Sequence, residues 1–270
     1  MRSLALALFA TVSLLAADPP KADDKKAKLI TEVEAKVKEV DESKASNAEK
    51  AKEYAAAGQA FLQLRQPGRA VEVFTKSIAA DDNPAVKDRR GDAYLWAGQF
   101  AEAVADYDAF LKTNPRFAPE HWRRGIALYY AGKHADGVAQ FEVHKTANPQ
   151  DVENAAWHYL CNVKVVGKDK ARKELIDVTR DRRVPMAEIQ KLFAGTLKPE
   201  DVLAAGEKAQ GAEKVSGQFY AHLYVGLWYE AEGDAAKAKE HLTTAVEKYE
   251  VPDYMWDVGN AHLKMLKAKK

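Results

Sequence analysis

The chain has 270 residues, 47% of them hydrophobic and 30% charged, which is enough apolar material for a folded protein of one or two domains. A formal net charge of +1 gives no electrostatic argument for nucleic acid or an anionic membrane as partner. The only cysteine, Cys161, excludes an intramolecular disulfide, so packing must supply the stability.

In chain order, Arg2 precedes the apolar run SLALALFATVSLLAA, which closes in small residues before Asp18-Pro19-Pro20. The run is short for a membrane span and has the flanking charge of a secretory signal, so residues 1–17 are read as a signal peptide cleaved near Ala16 or Ala17. With no cysteine beside that point for lipidation, the mature protein is expected to be periplasmic or secreted, without a stable membrane span. Residues 18–48 are charged and rich in helix formers. Leu29, Val33, Val37 and Val40 make a narrow apolar stripe on that helix. The stripe suits a helix that leads into or caps the helical segment after residue 48, with a dimerising helix as the alternative.

Two stretches then repeat. RRGDAYLWAGQFAEAVADYDAFLKTNP begins at Arg89, and RRGIALYYAGKHADGVAQFEVHKTANP begins 34 residues later at Arg123. The slots Gly91, Tyr94, Gly98, Ala103, Tyr107 and Pro115 become Gly125, Leu128, Gly132, Gly137, Phe141 and Pro149. A period of 34 with these slots predicts a helix-turn-helix unit. Small residues allow close helix approach, the large ones fill the space around that contact, Gly98 ends helix A, and Asn114-Pro115 ends helix B. A weaker copy lies 33 residues earlier at Gly58, Phe61, Ala70 and Phe74, with Pro67-Gly68 read as its turn. Another copy returns at Gly226, Tyr229, Gly233, Ala238, Leu242 and Ala245, succeeded by a helix around Tyr254–Lys267 that would cap the array. Trp157 and Gly167 lie 35 residues after Trp122 and Gly132, which gives an irregular unit between. No strand pattern competes, so the fold class is an all-α solenoid of antiparallel helix pairs. The organisation is three repeats in 51–151, an irregular helical region in 152–217, and a last repeat with a capping helix in 218–268.

These repeats resemble the tetratricopeptide repeat. The segments WHYLCNVKVVGKDKAR, IQKLFAGTLKPEDVLAAGE and FYAHLYVGLWYEAEGDAAKAKEHLTTAV are also similar to the C-terminal half of NlpI-like bacterial cell-envelope proteins. That resemblance implies a homodimeric adaptor whose partners are wall hydrolases or a protease. The chain departs from those proteins in lacking their lipidated cysteine.

Enzyme chemistry finds little support. There is no Gly-x-Ser-x-Gly elbow, phosphate-binding glycine loop or HExxH pattern, so no catalytic residue, metal site or cofactor is predicted. His158 and Cys161 read as a packed core pair, the other histidines as surface or boundary residues, and the Asp106/Asp108 pair as part of a solvated face. Arg90-Gly91-Asp92 spells an adhesion tripeptide, but Gly91 is a helix-packing slot. The sites of a carboxylate clamp such as chaperone-binding repeats carry would hold Ala55, Gln59, Arg89, Pro119 and Arg123, which is a poor set for that task.

A solenoid of helix pairs presents its A helices on the concave face. The slots facing inward hold Asp88, Asp92, Leu95 and Trp96, then Trp122, Ile126, Tyr129 and Tyr130, then Trp157, with Arg89 and Arg123 at the margin. Aromatic and arginine side chains supply most interface hot spots. Arg89, Asp92, Trp96, Trp122, Arg123, Ile126, Tyr129, Tyr130 and Trp157 are therefore the predicted partner-binding residues, and the predicted function is a non-catalytic scaffold for a protein partner. Self-assembly, or an enzyme site within 152–217, are the alternatives.

Overall fold

A computed structural model describes residues 22–268. The expected signal segment and its cleavage point lie outside the described residues. Among the described residues there is no β-strand, and helices succeed one another through the whole span as an all-α solenoid.

Helix α1 (Ala22–Glu42) lies against α2 (Asn47–Gln63). Ile30, Val33 and Val37 pack on a small core of Tyr54, Phe61 and Phe74, and Val40 is buried in it. Leu29 is 48% exposed, so Ile30 takes the place expected for Leu29 and the stripe is covered within the same chain. The turn between α1 and α2 is fixed by a capping box, in which Ser46 Oγ accepts from Glu49 N (3.3 Å) and Ser46 N donates to the Glu49 carboxylate (2.9 Å).

Helices α2 and α3 (Pro67–Ala80), α4 (Pro84–Ala97) and α5 (Phe100–Thr113), and α6 (Trp122–Tyr130) and α7 (His134–Ala147) form three successive pairs. A short 3-10 segment, Pro115–Glu120, leads from α5 to α6. Within each pair one glycine lies flat against a ring of the partner helix. An added Cβ would stand 2.7 Å from the Phe74 ring at Gly58, 2.5 Å from the Tyr107 ring at Gly91 and 2.6 Å from the Phe141 ring at Gly125. The last repeat, α12 (Glu213–Glu232) on α13 (Ala235–Lys248), repeats this with Gly226 against Leu242 at 2.9 Å. The glycine slot is thus a requirement of interaxial distance.

The A-helix ends are equally regular. Gly98 adopts φ 79°, and the next amide, Gln99 N, returns to Tyr94 O at 2.8 Å. Lys133 N to Leu128 O and Asp234 N to Tyr229 O, both 2.9 Å, reproduce it after Gly132 and Gly233. In the first repeat the same closure is Gln66 N to Phe61 O at 2.8 Å, and the left-handed residue is Arg65, with φ 53°. The expected turn at Pro67-Gly68 is corrected accordingly. Pro67 is the first residue of α3, where its missing N–H costs nothing, and the turn lies just before it.

The irregular unit begins normally with α8 (Val152–Val166), but its second helix shrinks to α9 (Lys168–Lys173). A non-helical stretch leads to α10 (Met186–Phe193), then α11 (Pro199–Lys208) packs on α12. The sequence LIDVTRDRRVP has a β-branched, charged and proline-terminated character that cannot continue a helix. Finally α14 (Tyr254–Ala268) packs on α13 and also crosses back to α4.

Replacing Gly125 by alanine is expected to lower stability by about 1–3 kcal/mol, because the new methyl overpacks the Phe141 ring. Gly68→Ala, in an exposed turn of α3 with no heavy atom within 4 Å of the added carbon, is expected to raise it by about 0.5–1 kcal/mol. Urea denaturation of the two variants checks both signs.

Candidate functional site

The inward slots of α4 and α6 build a charged lattice before any aromatic surface. Arg123 reaches Asp92 with Nη1 (2.6 and 2.7 Å) and Asp88 with Nη2 (2.9 and 3.2 Å). Asp92 also accepts from the hydroxyls of Tyr107 (2.8 Å) and Tyr254 (3.0 Å), and His121 Nε2 lies 2.7 Å from Asp88. Burial alone would push the Asp88 carboxyl up, but the His121 contact and the Arg123 charge hold it below the ordinary value.

The chain's own C-terminal helix lies over this lattice. The Tyr254 ring sits between Trp96 (5.0 Å between centroids) and Trp122 (4.9 Å). Farther along α14, His262 Nδ1 lies 2.9 Å from the Tyr130 hydroxyl and its Nε2 lies 2.7 Å from Glu230. Tyr130 stacks on Phe100, and both Tyr129 and Tyr130 meet Trp157 edge-on. Arg65 supplies the outer clasp. Its guanidinium lies 3.9 Å from the Trp256 ring centroid, donates to Val251 O at 2.6 Å, and pairs with Glu250 and with Asp257 (3.4 Å). Burial pushes Asp257 up to about 6, with Arg65 opposing.

The structure therefore brings together Asp92, Trp96, Trp122, Arg123 and Tyr130 of the predicted set around α14. Ile126, Tyr129 and Trp157 are buried, the last 1% exposed. Arg89 stays outside with its side chain 56% exposed, 3.5 Å from Asp92. Asp106, expected on a solvated face, is buried and gripped by Arg90 at 2.7 and 2.8 Å. Three histidines expected near the surface are also buried: His121, His144 and His262. Each fills a gap between helices and finds an oxygen there. His158 and Cys161 are both buried, and burial pushes the Cys161 thiol far above its ordinary range. Among the described residues no group of three or more His, Cys, Asp or Glu could hold a metal ion.

Where α14 begins, the concave layer is not filled. A cavity of about 280 Å³ remains between α6 (Trp122, Ile126), α7 (Phe141, His144), α8 (Asp151, Glu153, Asn154, Trp157) and α12 (Tyr220). Asp253, Tyr254 and Met255 close one side, and Arg183 reaches in from the stretch before α10. Arg183 donates to Glu153 at 2.5 Å, to Asp151 at 2.9 Å and to Asp181 at 2.7 Å. The Tyr224 hydroxyl donates to the other Glu153 oxygen at 2.7 Å. Burial pushes Glu153 up to about 7, aided by the Asp151 charge and opposed by Arg183. Of these residues the sequence placed only Trp122, Ile126 and Trp157 in its binding set, while Phe141 was read as a packing slot and Tyr254 as the start of the capping helix. Asp151, Glu153, Arg183 and Asp253 were not singled out, because no local signal joins residues so far apart in the chain.

This geometry belongs to the class of helical-repeat solenoids that present an inward-facing layer of A helices. Residues 89–152 and, separately, residues 220–250 match family models described as tetratricopeptide repeat. Among solved structures, a tetratricopeptide repeat protein from Parabacteroides merdae superimposes with a TM-score of 0.55 at 15% identity, covering 90% of this chain and 94% of that one. No curated protein matches the chain. The chain carries tetratricopeptide repeats on an all-α solenoid fold. Among the described residues, no helix is long and apolar enough to cross a membrane.

Arg65→Gly restores the residue that the other repeats carry at this turn, so the first repeat is expected to stay folded while α14 loosens. Limited proteolysis should then cut the 249–253 connection about tenfold faster than in the wild type, as local opening rises while global stability holds. For Glu153, a folded value near 7 against an ordinary 4.5 means that the folded state loses stability as pH rises through that window. Glu153→Gln removes this loss. The variant's melting temperature relative to the wild type is therefore expected to climb between pH 5 and pH 8, by the equivalent of roughly 2 kcal/mol. Parallel thermal melts across that range measure it.

Proposed function

We propose that this protein is a non-catalytic interaction scaffold of the cell envelope, holding a protein partner at the concave face of its repeats. The observation that carries the reading is the mixed aromatic and charged inner layer, which α14 covers over α4 and α6 but leaves open at the cavity beside Trp122 and Trp157. Repeat solenoids use such concave layers as extended binding surfaces. The apolar run before Asp18 supports export, and the similarity to NlpI-like envelope proteins favours wall hydrolases or a protease as the partner class. Homodimerisation through terminal helices has the same basis. The large exposed hydrophobics Leu29, Val143, Val165 and Val215 lie on four different helices and do not by themselves mark a dimer face.

An acid–base enzyme is the second reading, and Glu153 favours it, since a carboxyl titrating near 7 inside a cavity is the form that a catalytic acid takes. Both of its oxygens, however, are held by Arg183 and Tyr224. That arrangement fits a structural network better than a proton donor aimed at substrate.

Affinity capture from envelope extract tests the scaffold, with the folded Trp122→Ala variant alongside and helicity checked by circular dichroism. The wild type is expected to retain a partner that the variant loses. Equal capture by both would move the binding surface away from the concave face, and capture by neither would leave self-assembly as the better account.

A further inference from the structure

The cavity beside α14 has an unequal supply of hydrogen-bonding groups. Arg183 spends four of its five N–H groups on carboxylates, with Nε and Nη2 on Asp181 (3.0 and 2.7 Å), Nη1 on Glu153 and Nη2 also on Asp151. Three of the amides at the starts of α8 and α14 are taken too. Glu153 N is held by Asp151 at 3.0 Å, Val152 N by Asp181 at 3.3 Å and Met255 N by Asp253 at 2.8 Å. His144 keeps Nδ1 on the Pro119 carbonyl at 2.7 Å. An anion entering the cavity would find most of these donors already used and would lie beside the acidic side chains of Asp151, Glu153 and Asp253.

Acceptors remain. Asn154 lines the cavity with its side chain 3% exposed, and its Oδ1 has no hydrogen-bond partner in the protein. A buried amide oxygen left unpaired is costly, so the site gains by meeting a donor. Each Glu153 oxygen accepts a single bond and can take another. Three acidic side chains line the cavity, Asp151, Glu153 and Asp253, against one guanidinium, Arg183, and one imidazole, His144. The walls are aromatic, with Trp122, Trp157 and Tyr254 among them, and ring faces attract a cation. The volume, about 280 Å³, falls just below the usual range for small-molecule pockets, about 300–1,000 Å³, and so suits a single side chain.

One further atom decides the source of the cation. Trp157 lines the same cavity, and its buried Nε1 also lacks a partner in the protein. It needs an acceptor, which a simple ammonium ion does not have and a peptide carbonyl does.

We infer that this cavity is a receptor for a basic side chain, lysine or arginine, carried on an extended segment of a protein partner. The inference rests on the scaffold reading and names the chemistry its partner presents. The cation sits against the Trp122 and Trp157 faces, donates to Asn154 Oδ1 and Glu153, and leaves the Arg183 network intact.

The test titrates the protein with Gly-Gly-Lys-Gly-Gly, acetylated and amidated at its ends, and monitors tryptophan fluorescence and calorimetric heat. The same peptide with arginine, norleucine or glutamate at the centre, and n-butylammonium alone, are the comparisons. The lysine or arginine peptide is expected to bind at least about tenfold more tightly than the norleucine peptide, the scale of one hydrogen bond to a charged group. It should also bind more tightly than n-butylammonium. Glu153→Gln and Asp253→Asn should each weaken it by a similar factor, and Asn154→Ala should do so wherever circular dichroism shows that variant folded. Equal binding of the norleucine peptide, preference for glutamate, unchanged affinity in the folded Glu153→Gln and Asp253→Asn variants, or tighter binding of n-butylammonium would each overturn the inference. Envelope capture separates this failure from that of the scaffold. A partner retained by wild type and by both variants leaves the scaffold standing and overturns the basic-side-chain site. Peptide binding with no partner captured supports the cavity's chemistry and removes the scaffold.

Discussion

The contact on which the concave side depends is that between Tyr254 and Asp92. Asp92 is 3% exposed, and a carboxylate taken that far from water persists only when its charge and lone pairs are met. Arg123 meets the charge, while Tyr107 from the same repeat and Tyr254 from the far end of the chain complete the shell. One buried carboxylate therefore ties α4 to α5, to α6 and to α14. The Trp96 and Trp122 rings on either side of Tyr254 then gain cover that the repeats alone do not give them. Without α14, the Asp88–Asp92–Arg123 lattice would face water, where such pairs are worth little.

The repeat part of the fold was legible because each slot answers a local need. A glycine opposite a ring sets interaxial distance, and a left-handed glycine closes helix A, so a 34-residue period carries both signals together. Even the first copy obeys this, although the matched repeat models begin only at residue 89. The irregular unit was legible only at its start. Trp157 and Gly167 mark the α8 helix and its end, but α9 is too short and α10 too displaced for any period to show. Which concave residues would be open was not legible at all. Asp92 and Tyr254 are 162 residues apart, and neither carries a local sign that they meet. The burial of the histidines escapes the sequence for the same reason: His262 looks like any polar residue on a terminal helix until Tyr130 and Glu230 are placed around it.

Arg65 shows where local and global requirements part. Its slot calls for glycine, and a side chain there at φ 53° carries a backbone penalty of roughly 1–2 kcal/mol. The same side chain contacts Trp256, Val251, Glu250 and Asp257. A residue that breaks the rule of its own turn and gathers four contacts across the molecule has been placed for the long-range closure.

That closure also changes how an aromatic concave surface should be understood. Tryptophan, tyrosine and arginine on inward slots state that something must cover them, and they do not state whether the cover comes from the same chain or another. Satisfaction of the charged groups separates the two cases. Beneath α14, Asp88, Asp92, Arg123, Arg65 and Asp257 each have an opposite charge within reach, which is how a surface looks when its cover is already in place. At the cavity the same inner layer continues through Trp122 and Trp157, yet a buried amide oxygen and a buried indole N–H are left without partners. Burial without satisfaction is costly enough that natural interiors rarely keep it where nothing comes to meet it. Trp96 Nε1, beneath α14, is left unpaired as well, so the cavity differs from the covered part in having free space beside its unmet groups.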